Sequence, residues 1–141
     1  MKKMASLLSF LVAVVFLFSA TLVMAKAVPI TDISSQLKGA WTGTRCLSIS
    51  NSPSRCFPTE LEINNDCSPL EGALIVHLDM RGTYPMPFKN GVIDEKGRIS
   101  VEWDSRTWIL LTLQANGELK GECQFIDGHI ILKGTLSLKK K

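Results

Sequence analysis

The sequence predicts an all-β protein: a single eight-stranded antiparallel meander closed into a β-barrel, behind a cleaved signal peptide. Three observations carry that prediction. From Gly39 onward apolar and polar residues alternate with a period of two, the pattern of strands with one buried and one wet face. Turn-forming residue pairs separate the alternating runs at short intervals. After residue 25 no segment shows a helical period of useful length. A two-sheet β-sandwich is the alternative use of the same strands. A meander favours closure, because a barrel leaves no exposed edge.

Residues 1–25 read as the signal peptide. Lys2 and Lys3 precede an almost wholly apolar run from Leu7 to Phe18, and both Val23-Met24-Ala25 and Ala25-Lys26-Ala27 offer the small-x-small pattern that a signal peptidase reads. The alternative is a membrane anchor, since Leu7 to Met24 approaches the roughly 18 residues a span needs. Ser9, Ser19 and Thr21 dilute the run and a cleavage pattern follows it, so no stable membrane anchor is expected and the protein is predicted to be secreted or periplasmic. The first cysteine is Cys46, which argues against a lipoprotein, and Asn51-Ser52 is followed by Pro53, which removes the N-glycosylation acceptor. Both fit bacterial export. The remaining chain divides into an N-terminal arm, residues 26–38, and a barrel domain, residues 39–141.

Removal of the signal peptide changes the charge. The whole chain carries 16 basic and 13 acidic side chains. Without Lys2 and Lys3 the basic count falls to 14 and the net charge to +1. A near-neutral domain has little attraction for phosphate backbones, and no nucleic-acid partner is expected. Lys139-Lys140-Lys141 reads as a solvated tail. About 116 residues remain, enough for one domain with one core.

The strands follow in order. Val28 to Gln36 reads as a loose arm or one short helical turn. Strands are expected at about 40–49, 58–64, 72–80, 86–94, 98–104, 108–115, 118–125 and 129–138. Glu118-Leu119-Lys120-Gly121-Glu122-Cys123-Gln124-Phe125 alternates without a break. Arg98 to Asp104 and Ile130 to Leu138 repeat the pattern. The fourth strand is the weakest, because Pro85 and Pro87 each lack a ladder donor. Asn116-Gly117 and Asp127-Gly128 are hairpin turns by their tolerance of positive φ. Asp94-Glu95-Lys96-Gly97 and Ser105-Arg106-Thr107 make the other tight links.

Parity assigns the inner face: Trp41, Leu47 and Ile49; Leu61 and Ile63; Leu74, Val76, Leu78 and Met80; Ile99, Val101 and Trp103; Ile109, Leu111 and Leu113; Leu119 and Phe125; Ile130, Leu132, Leu136 and Leu138. A small barrel lined this way either packs solid or holds one small ligand. Both readings stay open, and Trp41, Arg45 and Trp103 are the candidate ligand contacts within the barrel. Arg45 departs from the apolar set. In register with Trp41 it points inward, where a guanidinium needs a partner. The expected resolution is a β-bulge at Gly43 that turns it out, or a place at the barrel mouth.

Four cysteines, Cys46, Cys56, Cys67 and Cys123, lie in the domain. In an oxidising compartment an even count implies disulfides, with three possible pairings. The expected one joins Cys46 to Cys56 across the first hairpin and Cys67 to Cys123. Spacings of 10, 11 and 56 residues contain no Cys-x-x-Cys, and His77 and His129 are distant in sequence, so no metal site or cofactor is expected. No Gly-x-Ser-x-Gly, His-Glu-x-x-His or phosphate-cradling glycine loop is present. Glu60 with Glu62, and Glu102 with Asp104, read as solvated strand faces. No catalytic residue is assigned, and the protein is expected to be non-enzymatic.

Leu37-Lys38-Gly39-Ala40-Trp41-Thr42-Gly43 resembles the first strand of calycin-type barrels, where lipocalins and avidin-like proteins carry Gly-x-Trp. The resemblance implies that Gly39 bends the chain into the barrel and Trp41 plugs one end. Thr42-Gly43-Thr44 stands where avidin-like proteins place polar biotin-fixing residues, so the resemblance implies a fold and no particular ligand. The chain is also similar to small exported bacterial inhibitors of metalloproteases, in which an N-terminal arm precedes a disulfide-bonded barrel opening with a Leu-x-Gly-x-Trp-like strand. Ala27 to Gln36 would be that arm, and Leu37 to Trp41 that opening. The expected partner is therefore a small apolar ligand or, in the alternative, a protease or other hydrolase.

Overall fold

The structure, a computed structural model, describes residues 30–141, with side chains from Ile33 onward. The predicted signal peptide and the first residues of the predicted arm lie outside the described residues. Helix α1 (Ile30–Leu37) leads into eight strands: β1 (Gly39–Ser48), β2 (Arg55–Ile63), β3 (Leu70–Leu78), β4 (Gly82–Ile93), β5 (Arg98–Asp104), β6 (Thr107–Leu113), β7 (Leu119–Asp127) and β8 (Ile130–Lys140). Each strand pairs antiparallel with the next, and β1 pairs with both β2 and β8, closing the barrel. Closure removes the edges that a sandwich would leave.

The turns form as their residues dictate. Gly117 adopts φ +83° and its N–H donates to the Gln114 carbonyl at 3.0 Å. In the β4–β5 turn, Asp94 Oδ1 accepts the backbone N–H groups of Lys96 and Arg98 at 2.8 and 2.9 Å. Those bonds and the Arg98 side chain hold its carboxyl below the usual carboxylate range.

The strand β4 runs four residues further back than parity predicts, through both prolines. Its ladder to β3 extends from Gly82 to Gly91, but β5 reaches only Val92 and Ile93. Pro85 and Pro87 therefore sit where no β5 ladder asks for a donor. Side chains bridge this seam instead. The Trp103 indole donates to the Pro87 carbonyl at 2.9 Å, and the Asn90 amide to the Glu102 carbonyl at 2.7 Å. Phe88 meets the Trp103 ring edge-on at 6.1 Å.

The two ends of the barrel differ. At the closed end, Trp41 is 1 % exposed and its indole donates to the Leu37 carbonyl at 2.9 Å. Leu37, Leu70, Leu119 and Leu138 are fully buried around it. Of the two readings of the arm, the helical one holds over residues 30–37: α1 caps this end, with Ile33 against the core. The C-terminal lysines are solvent-exposed, as read, but they are not a free tail: Lys139 and Lys140 continue β8. Lys140 donates to the Gln36 carbonyl at 2.6 Å and sits 5.3 Å from the Trp41 ring centre. Lys139 pairs with Glu118, and Lys141 with Glu60. Thus α1 and the C-terminal lysines fasten the closed end together.

At the opposite end, four residues assigned inward are exposed: Ile49, Leu78, Met80 and Ile130. The reason is strand length. Ile49 and Met80 lie past the ends of β1 and β3, while Leu78 and Ile130 are terminal strand residues. Met80 lies in a 3-10 turn, Asp79–Arg81, and Ile49 follows the last residue of β1, so neither continues a strand.

Candidate functional site

The open end holds a cavity of about 350 Å³. Its wall is mostly apolar: Leu47 of β1, Val76 and Leu78 of β3, Met86 of β4, Phe125 of β7 and Leu132 of β8. Tyr84, Arg81, Asp104 and Asp127 stand toward the rim, where the strands end. Below this level the barrel is filled by the aliphatic core, with Leu61, Leu74, Ile109 and Leu111 at 1 % exposure or less. The interior is thus packed at the closed end and hollow at the open one.

Arg45 lines the cavity from β1. No bulge turns it out. The β1 register runs unbroken from Gly39 to Leu47 against β2 and from Trp41 to Ser48 against β8. Arg45 therefore keeps the inward parity of Trp41 and is only 4 % exposed. Its guanidinium carbon lies 4.9 Å from the Phe125 ring centre and 5.7 Å from that of Phe57, within cation–π range. Among the described residues it has no ion pair, and its buried Nε finds no hydrogen-bond acceptor. Burial lowers its pKa from the ordinary value, yet an arginine remains a cation at neutral pH.

The neighbouring thiol does not neutralise that charge. Burial pushes Cys123 up to about 12, against the opposing pull of Arg45, so it stays a neutral thiol and a poor nucleophile.

Trp103 also lines the cavity, with its indole N–H already committed to Pro87, so it offers an apolar face. Trp41 is not among the cavity residues; it belongs to the closed end. Tyr84 and Arg81 escaped the sequence reading, which began the fourth strand at residue 86, and Met86 lay in that strand without being assigned to either face.

The cysteines divide. Cys46 and Cys56 are direct cross-strand partners of β1 and β2, joined by a disulfide with an S–S distance of 2.00 Å. Cys67 and Cys123 do not pair. Cys123 faces inward from β7, on the opposite side of the barrel from the β2–β3 connection that carries Cys67. That connection is held in place by Asn65, whose amide donates to the carbonyls of Cys67 and Pro69 at 3.1 and 2.9 Å, and Cys67 is left exposed.

A second hollow of about 520 Å³ lies on the outer face of β6, β7, β8 and β1, lined by Ser48, Trp108, Glu122, Lys133 and Thr135. It is larger, but its side chains are the solvent-facing set. His77 is also on an outer face, 3.7 Å from Glu60. Among the described residues, no cluster of His, Cys, Asp or Glu could hold a metal ion, and no helix is long and apolar enough to cross a membrane. Comparison with protein-family models, curated proteins and solved structures finds no match to this chain.

Proposed function

We propose that this protein is an exported, non-enzymatic binding barrel of the calycin type, holding one small apolar ligand in its open end. The observation that carries this reading is the 350 Å³ cavity with an aliphatic and aromatic wall above a filled core. Its size falls in the range of small-molecule sites. At roughly 30 Å³ per non-hydrogen atom, taken from the volume of a water, it accepts about a dozen atoms. Export is supported by the signal-peptide pattern and by the Cys46–Cys56 disulfide, since disulfides persist in oxidising compartments. Binding is favoured over catalysis because, among the described residues, no hydrogen bond joins the Tyr84 or Thr107 hydroxyl of the cavity to Asp104 or Asp127. The inhibitor alternative gains less support: α1 takes up residues 30–36 of its proposed arm, and Ile33 packs against the barrel core.

Calorimetric titration with 1-octanol tests the reading. Burying eight carbons in a preformed cavity gives an expected Kd on the order of 0.1 mM with one site. Leu132→Trp places a bulky ring in the cavity and is expected to weaken binding at least about tenfold. Absence of saturable binding by the unaltered protein would contradict the proposal.

A further inference from the structure

We infer that the ligand of the open-end cavity carries a carboxylate, and that Arg45 is the group that binds it. This inference rests on the proposed binding role and specifies the class of ligand. Arg45 is 4 % exposed, lines the cavity, and has a buried Nε with no acceptor among the described residues. Phe57 and Phe125 do not settle that need. Aromatic rings engage the flat face of a guanidinium, whereas its five N–H donors lie in the plane and call for oxygen atoms. Buried charges are normally paired or hydrogen-bonded. The cavity's two carboxylates, Asp104 and Asp127, form no ion pair with Arg45. Nor does the Cys123 thiol supply a negative charge.

A carboxylate answers this geometry. Its two oxygens match the guanidinium fork in a bidentate pair. Entering head first, it would reach Arg45 on the β1 wall below Leu47 and stay away from the rim carboxylates. Its apolar body would then lie between Leu47, Val76, Phe125 and Leu132. The cavity admits about a dozen non-hydrogen atoms, so the class is a monocarboxylate with a hydrocarbon body of about eight carbons, aliphatic or aromatic.

The test compares octanoate with 1-octanol, which share a chain and differ in the head, on the full exported protein. Octanoate is expected to bind at least about tenfold tighter than octanol. Arg45→Met is expected to weaken octanoate 10- to 100-fold, the scale of a charge-assisted hydrogen-bond pair, and so to erase its advantage over octanol measured on the same variant. Arg45→Lys, which keeps charge and loses the fork, should fall between the two. A pH titration of the unaltered protein needs no variant: octanoate affinity should fall as its carboxyl is protonated, below about pH 5, while octanol affinity should not. Equal affinity for the two ligands, or octanoate binding indifferent to Arg45→Met and to pH, would overturn the inference while leaving the cavity as a binding site. Failure of both ligands to bind would remove the inference together with the proposed function.

Discussion

Gly121→Ala is expected to abolish the folded barrel or destabilise it by more than about 4 kcal/mol, a loss reserved for direct structural conflict. A Cβ added at Gly121 would lie 1.8 Å from the Leu110 carbonyl oxygen and 2.9 Å from the Leu111 Cα. These are backbone atoms of β6, and no rotamer change can move them. Gly43, Gly72 and Gly134 meet neighbouring backbone in the same way, so these inward positions are where strands bend closely around the small barrel. Gly117→Ala provides the contrast. It has φ +83° and nothing within 4 Å of an added Cβ, so only backbone strain opposes the substitution, about 1–2 kcal/mol. Urea unfolding of the two variants checks the difference. Similar small losses for both would show that β6 and β7 do not approach this closely.

Trp41→Ala is expected to lower stability by about 3–5 kcal/mol, the usual loss for a buried aromatic. That is a large share of the 5–15 kcal/mol that holds a typical domain. Trp41 is 1 % exposed, is hydrogen-bonded to Leu37 and lies under Lys140, so its loss opens a void and releases the helix cap. Trp41→Phe keeps most of the volume but leaves the Leu37 carbonyl without its donor, and should cost about 1–3 kcal/mol. Thermal or urea unfolding measures both. A small loss for Trp41→Ala would mean that α1 and the C-terminal lysines do not close this end.

The middle of the barrel was legible because period two survives wherever a strand has both neighbours. Leu119, Cys123 and Phe125 are buried on the parity read from sequence, and Lys120, Glu122 and Gln124 occupy the other face. The Cys46–Cys56 bridge was legible because a short polar loop, Ser50 to Arg55, must return the chain beside itself. What parity does not contain is where a strand stops. Ile49 and Met80 are apolar past the strand ends and Ile130 at one, so alternation continued into the rim. Prolines concealed the start of β4, because its seam to β5 uses Trp103 and Asn90 side chains rather than ladder bonds. The helix was legible only as one of two options, a short helical turn within Val28 to Gln36, because it is short, although Ile30, Ile33 and Leu37 stand at helical spacing.

The candidate site was half legible. Arg45 stood out as an inward charge, and a rule against unpaired buried charge argued for a bulge or a place at the barrel mouth. The unbroken β1 register rules out the bulge: the charge stays inside, lining the cavity of the open end. Pairing Cys67 with Cys123 failed for a related reason. Inward parity was read correctly for Cys123, but strand order alone decides which loop it can reach, and β7 lies across the barrel from β3.

The most direct measurement is a backbone amide NMR titration with 1-octanol. Saturable shifts should concentrate at the open end, on Leu47, Val76, Phe125 and Leu132, with Leu37, Leu70 and Leu119 at the closed end unmoved. No saturable shifts, or shifts centred on the closed end or on the outer groove at Glu122 and Thr135, would contradict an open-end binding site.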